Sequence, residues 1–157
     1  MPTLAYNKRA NFDYEISQTF EAGLVLTGQE VKSIKTKHVS LKGAFVTTHL
    51  TTKQLPDFIL TNAHIPPYKF AGKVADYSPE RPRKLLLKKS QIKYLLGKKQ
   101  EQGLTLVPIK IYTKKSLIKL EFGLGKGKKK YDKRQSIKER DNARHLRTLA
   151  KTKAIKP

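Results

Sequence analysis

From Leu104 to Phe122 the chain reads LTLVPIKIYTKKSLIKLEF. Two runs rich in β-branched and aromatic residues flank a pair of lysines, and the apolar period is two on both sides. Thr105, Val107, Ile109 and Ile111 fall on one face. After a turn near Lys114 and Lys115, Ile118, Leu120 and Phe122 alternate with Lys119 and Glu121. A period of two cannot sit on a helix, so this stretch commits the chain to an antiparallel hairpin with one face on a core. Pro108 has no N–H to give a ladder, which predicts an edge position or a bulge.

Upstream, AFVTTHLTTKQLPDFILTNAHI holds two more β-prone runs, Phe45 to Leu50 and Asp57 to Ile65, joined by a polar connection and read as a second hairpin. Two stretches break the pattern. TGQEVKSIKTKH spaces Val31 and Ile34 three apart, and SQIKYLLGKKQEQG puts Ile92, Leu95 and Leu96 on one helical face, with Ser90 as N-cap and Gly103 as stop. Both predict short helices covering a sheet. Between them PPYKFAGKVADYSPERPRK has four prolines and no period, the mark of a functional loop or a loosely attached crossover. The fold class expected is mainly β: a small antiparallel closed barrel of the oligonucleotide-binding type, two or three short helices, and a basic C-terminal tail.

Charge divides the chain. Of 157 residues, 34 are Lys or Arg and 12 Asp or Glu, a net +22. Residues 123–157 hold 13 bases and 3 acids, against 21 and 9 in residues 1–122, so the tail is about three times as dense in positive charge. We expect a barrel over 1–122 and a tail over 123–157 that is disordered when free, because Tyr131, Ile137, Leu146, Leu149 and Ile155 are too few for a core. An excess of this size implies a polyanionic partner, with nucleic acid ahead of an anionic membrane. The absence of cysteine removes thiolate chemistry, disulfides and sulfur-ligated zinc. The start of the chain lacks a signal-peptide core and no run approaches membrane-span length, so a cytoplasmic location and no membrane partner are expected.

No catalytic constellation emerges. His38, His49, His64 and His145 are scattered without metal-ligand spacing. Glu15 and Glu21 stand at an even separation that allows a shared strand face without making a carboxylate pair. GLGKGKKK lacks the spacer and the Ser or Thr of a phosphate loop and reads as a flexible joint to a basic arm. Within that arm Asp132, Glu139 and Asp141 interrupt the bases at spacings that support a helix once folded. The expectation is a binding protein, without catalytic residues, metal or cofactor.

Three blocks in this order, NKRANFDYEISQTFEAGLVLTGQEVKS, RKLLL and KGKKKYDKRQSIKERD, closely resemble the small protein B family, the tmRNA-binding (SsrA-binding) proteins of bacteria. The likeness spans roughly residues 7 to 145. It implies a barrel that binds the tRNA-like part of tmRNA and brings it, with elongation factor Tu, to ribosomes stalled on messages without a stop codon. Alanyl-tRNA synthetase would be met only through tmRNA. The process is trans-translation. The tail would enter the vacant mRNA channel beside the decoding centre, against small-subunit rRNA, and fold there as a helix.

Carried over by position, the tmRNA-contacting residues are Glu21 of FEAGL, Leu86 of RKLLL and Lys119 of IKLEF, with Asn7, Lys8, Arg9 and Lys84 beside them. Lys119 faces outward by alternation and suits a phosphate; Glu21 suits a base amino group or a neighbouring Arg. Pattern alone favours core for Leu86, one of three consecutive leucines, whereas the resemblance puts it against an unstacked base. In the tail the likeness assigns Tyr131, Asp132, Lys133 and Arg134 to the decoding centre, with Lys126, Lys128, Lys129, Lys138 and Arg140 along the arm. Gln29 and the surroundings of His38 and Gly43 depart from the family pattern and put local loop shape in doubt. The alternative reading is another basic, ribosome-associated RNA-binding protein of the same barrel type.

Overall fold

The computed structural model describes residues 2–50, 55–72, 76–100 and 103–154, so the connection at 51–54 and Ile155 lie outside the described residues. Chain order is β1 (Thr3–Tyr6), α1 (Ala10–Asp13), β2 (Tyr14–Leu24), α2 (Gly28–Lys35), β3 (Phe45–His49), β4 (Asp57–Thr61), β5 (Arg83–Leu86), α3 (Lys89–Lys99), β6 (Leu104–Lys114), β7 (Leu117–Gly127) and α4 (Lys130–Ala154). The strands form one antiparallel sheet in the order β1-β6-β7-β2-β5-β4-β3. Edge strand β3 curls round to lie against β6. Among the described residues no ladder joins the two edges, so the sheet is not closed by hydrogen bonds.

The expected hairpins are β3–β4 and β6–β7. In the second, Lys114 pairs with Leu117, so the two-residue turn is Lys115–Ser116, one position later than the sequence indicated. Both turn residues are left-handed, φ 47° and 64°, the geometry that matches the twist of a two-residue hairpin.

Pro108 sits at a bulge and not at an edge: β6 pairs with β1 on one side and β7 on the other, and its register slips between Pro108 and Lys110. The slip overturns the expectation that Thr105, Val107, Ile109 and Ile111 share a face. An extra residue reverses the alternation. Leu106 and Ile111 therefore enter the main core with Ile34, Leu60, Leu95, Leu120 and Phe122, whereas Val107 and Ile109 pack on the other side of the sheet with Ala10. A second slip, between Ile16 and Gln18, does the same in β2 and sends Glu15 and Glu21 to opposite faces.

The helices differ from expectation in detail. Thr27 caps α2: its hydroxyl accepts from Glu30 N–H and Glu30 accepts from Thr27 N–H. The N-cap of α3 is Lys88, not Ser90, with the Gln91 side chain accepting the Lys88 N–H at 3.1 Å. Gly103, at φ 79°, leads into β6 beyond the end of α3 at Lys99.

Strand β7 continues past Phe122 to Gly127, so the glycines of GLGKG are not a flexible joint. A Cβ on Gly123 would stand 2.5 Å from Ile16 Cγ2 and one on Gly125 would stand 3.2 Å from Tyr14 Cβ; these glycines let the side chains of β2 cross over β7. The chain divides into two compact units, Met1–Gly127 and Lys128–Pro157. The second holds α4, a helix supported from within. Asp132 accepts the Lys129 N–H at 3.1 Å, Gln135 donates to Glu139 at 3.2 Å, and Ser136 and Thr148 hydroxyls donate to carbonyls four residues back. Its apolar residues stay in solvent, Leu146 and Leu149 included.

Candidate nucleic-acid interface

The side of the sheet turned away from the core is built by alternation. Phe20 and Ala22 of β2 face inward, which turns Glu21 and Gly23 out; Ile118, Leu120 and Phe122 of β7 do the same for Lys119 and Glu121. Register then sets Lys119, Gly23 and Leu86 in one row across β7, β2 and β5. Leu85 is buried against Phe58, and Leu86, one residue on, is 56% exposed. Of the two readings open for Leu86, the structure gives the surface one. Gly23 makes room for it, since a Cβ there would approach Leu86 Cβ to 3.3 Å. Leu86, Gly23, Leu117 and Lys119 line an open cleft of about 370 Å³.

Glu21 is the electrostatic centre of this face. It accepts a short hydrogen bond from the Tyr112 hydroxyl, and Lys114 Nζ and Lys119 Nζ stand 2.9 and 3.4 Å from its oxygens. The Tyr112 hydrogen bond first, then Lys114, hold its carboxyl down at about 2. Burial first, then Glu21, push the Tyr112 phenol up to about 12. At neutral pH the pair is a carboxylate and a neutral donor, and both lysines are drawn to one point. Lys84 is held by Asp57 at 2.7 Å and Lys110 by Glu121 at 3.1 Å.

The structure therefore brings Glu21, Leu86 and Lys119 together, with Lys84 beside Leu86 on the same strand. It does not bring Asn7, Lys8 and Arg9 to them. Asn7 is spent on the backbone: Nδ2 donates to Pro108 O at 2.9 Å and Oδ1 accepts Arg9 N–H at 3.2 Å. Lys8 and Arg9 are exposed at a separate cleft of about 300 Å³, opposite Val39–Lys42, that shares no residue with the Leu86 cleft. In the tail, Lys126 lies in β7 and Lys128 and Lys129 lead into α4. On α4, Tyr131 is 76% exposed, Asp132 caps the first turn, and Arg134, Lys138 and Arg140 are exposed, with Lys133 half-buried.

Sequence reasoning missed the buried ion network behind this face. Glu30 and Arg83 are fully buried, and Arg83 Nε lies 2.9 Å from Glu30 while Arg81 Nε donates to the same carboxylate at 2.8 Å. Arg83 also donates to the carbonyls of Ala63, Arg81 and Pro79. The crossover is thus firmly tied, not loosely attached. Its other ties are Tyr77 Oη to Ile65 O at 2.7 Å and Ser33 Oγ to Pro66 O at 2.7 Å. The only sequence trace of this was the pair of arginines in RPRK. Missed too were Tyr112 and Lys114, although alternation from the inward Ile111 turns Tyr112 and Lys114 outward with or without the bulge. At the departures from pattern, Gln29 keeps an amide oxygen buried without a partner, His38 Nδ1 meets Thr36 Oγ1 at 2.9 Å, and Gly43 takes a left-handed φ of 75°.

Among the described residues no three His, Asp or Glu side chains form a group able to hold a metal, and no helix is long and apolar enough to cross a membrane. The outer face offers lysines held by the carboxylates of Glu21, Asp57 and Glu121, and an exposed leucine. The model of the SmpB protein family matches residues 4–152. The chain belongs to the SmpB family. Its curated relatives include the SsrA-binding proteins of Trichormus variabilis, 44% identical with 92% of this chain and 90% of that protein covered, and of Geobacillus kaustophilus, 46% identical with 91% and 88% covered. Among solved structures it is similar to a chain described as "tmRNA-SmpB: a journey to the center of the bacterial ribosome". That likeness has 43% identity, a TM-score of 0.62, and coverage of 80% of this chain and 84% of that one. The family match takes in both units, the sheet and nearly all of α4.

Proposed function

We propose that this protein binds the tRNA-like part of tmRNA and delivers it to stalled ribosomes for trans-translation, so that nascent chains are tagged and the ribosomes released. The observation that carries the reading is the row of Lys119, Gly23 and Leu86 with Glu21 beside it, on the open face of a sheet curled in the manner of an oligonucleotide-binding barrel. Lys119 and Lys114, gathered by Glu21, meet the RNA backbone; Leu86 packs on an unstacked base. Lys84 extends the contact, and Asn7, Lys8 and Arg9, at a separate cleft, meet another part of the RNA. The tail, with Tyr131, Asp132, Lys133 and Arg134 at its head, reads the vacant mRNA channel and decoding centre of the small subunit. With its apolar residues in solvent, α4 exchanges with disorder in the free protein and is held as a helix there. Elongation factor Tu and alanyl-tRNA synthetase are reached through tmRNA, in the cytoplasm, and the protein does no covalent chemistry of its own.

Gel-shift titration of the full chain against tmRNA across a range of salt tests the barrel. Lys119→Ala lowers the log–log salt slope by less than the value of about 0.7 to 0.9 for one free phosphate contact, because Glu21 already holds part of its charge, and Leu86→Asn weakens binding without changing the slope. Normal binding by both variants refutes the site. Equal affinity for tmRNA and bulk rRNA favours a general ribosome-associated protein instead. For the tail, Asn142→Pro costs the helix about 3 kcal/mol or more; tmRNA binding stays, and tagging on stalled ribosomes is lost.

A further inference from the structure

The crossover between β4 and β5 is tied down at its root and exposed at its tip, and the reading above uses neither property. Its root carries the buried Glu30–Arg83 pair and four bonds to backbone carbonyls. Near its tip stand two adjacent aromatic rings, Phe70 in solvent and Tyr68 half-buried. Phe70 is 78% exposed, and Tyr68 packs against it edge-on, with ring centroids 5.5 Å apart and planes inclined at 65°. Each ring has its own cation: Lys32 Nζ of α2 lies 5.7 Å from the Tyr68 centroid and Lys69 Nζ 5.9 Å from that of Phe70. Ala71 N–H bonds to Tyr68 O and closes the turn that presents them.

At 78% exposure the Phe70 ring gains little from folding and stands open to a partner, with the half-buried Tyr68 beside it. An inclined ring pair offers one plane for a flat π-system to stack on and a second to meet its edge. The cations at the rings match the phosphates on either side of such a group. Rings for bases and lysines for backbone are the two parts of a single-strand binding platform. An acidic protein segment would satisfy the lysines and leave the rings unused. A lipid surface would want a larger apolar area than two side chains.

We propose that Tyr68, Phe70, Lys32 and Lys69 form a second nucleic-acid site, one that takes one or two unpaired nucleotides of RNA by stacking. None of these residues lines the Leu86–Lys119 cleft. The site goes beyond the tmRNA-binding reading and shares with it only the premise that the partner is RNA. The buried ion network is its foundation, because stacking requires a platform that does not give way.

The chain has no tryptophan, so Phe70→Trp in the full-length protein places one fluorescent reporter at the tip. Titration with a single-stranded ten-nucleotide RNA quenches the emission of this indole, and a duplex of the same length quenches far less. Removing the ring in Phe70→Ala lowers single-strand affinity roughly 5- to 150-fold, the loss of one stacked base. Because the side chain is exposed, an unchanged melting temperature confirms that the fold survives. Leu86→Asn added to the Phe70→Trp protein leaves the quench intact while weakening tmRNA binding. A failure of this site and a failure of the Leu86 site are thereby told apart. Absence of quenching, equal quenching by duplex, or quenching by an acidic peptide or anionic vesicles but not by RNA overturns the proposal.

Discussion

Replacing Glu30 with Gln tests whether the buried ion network holds the crossover in place. The substitution keeps the shape and leaves an oxygen for the Thr27 N–H, but it removes the carboxylate that faces the fully buried Arg83. An unpaired buried guanidinium costs about 3 to 5 kcal/mol. Against a typical stability of about 5 to 15 kcal/mol this is a large fraction, and for a unit of this size it lowers the melting temperature by about 12 to 20 °C. Arg81→Gln costs much less, about 1 kcal/mol or below, because the Arg81 side chain is 32% exposed and turns to water. Arg83→Met strips donors from three carbonyls as well as from Glu30. The double variant Glu30→Gln/Arg83→Met is therefore severely destabilised, yet by about 2 kcal/mol less than the sum of its parts, since no charge is left stranded. Urea unfolding followed by far-UV circular dichroism at pH 7 measures all four. Hydrogen exchange at the Ile65 amide, bonded to Pro79 O, reports the crossover itself. The acid limb carries a sign. Burial pushes the Glu30 carboxyl up, but Arg81, the Thr27 N–H and Arg83 outweigh it and hold it below the ordinary carboxylate range. Its contribution is thus complete above that range and lost as pH falls through the depressed value. A Glu30→Gln protein within about 1 kcal/mol of the parent, or strict additivity in the double variant, refutes the reasoning.

Gly123→Ala forces a methyl to within 2.5 Å of Ile16 Cγ2 and 3.2 Å of Ile109 Cδ1 and lowers stability by about 1 to 3 kcal/mol; Gly127→Ala, with nothing within 4 Å, changes it by about 0.5 kcal/mol or less. Equal tolerance at both positions in urea unfolding returns the segment to the role of a joint. The carboxyl carbon of Glu21, followed by NMR, titrates near 2 and not near 4.5. The stability it adds is complete above about 4.5 and fades as pH falls towards 2, so Glu21→Gln flattens that part of the acid limb; a midpoint at about 4 or above contradicts the geometry at Tyr112 and Lys114.

What could be read from the residues was local and periodic. The alternation around Lys119 needed only its own neighbours, and it gave both the hairpin and the outward lysine. Val31 and Ile34 likewise gave α2. What escaped was set by distant partners. Three consecutive leucines carry no sign of which one faces out; the pairing of Leu85 with Phe58 and of Leu86 with Gly23 decides it. A bulge adds one residue with no fixed composition, so the slip after Ile16 was invisible, and the slip after Pro108 was marked only by the missing N–H. Gly123 and Gly125 read as flexibility because the Ile16 and Tyr14 side chains that require them lie far earlier in the chain. Glu30 and Arg83 are separated in the same way. Each looks like an ordinary surface charge until the fold buries it.

The net +22 does not fall evenly on the surfaces assigned to RNA. On the outer face of the sheet the bases are matched: Lys84 with Asp57, Lys110 with Glu121, Lys114 and Lys119 with Glu21. A lysine already paired with a carboxylate releases little counterion when RNA arrives, so binding at this face would add modest salt-dependent affinity and rest its discrimination on placement. Glu21 repels phosphate at the very point where it aligns two cations, an arrangement that serves register and weakens indiscriminate binding. Residues 123–157 are the reverse, with 13 bases to 3 acids. Electrostatic attraction to any RNA resides there. On the proposed reading this segment would attract RNA without choosing among sequences, and the sheet face would do the choosing. A chain with the two properties exchanged, a neutral tail and an unpaired lysine face, would bind any duplex at the sheet.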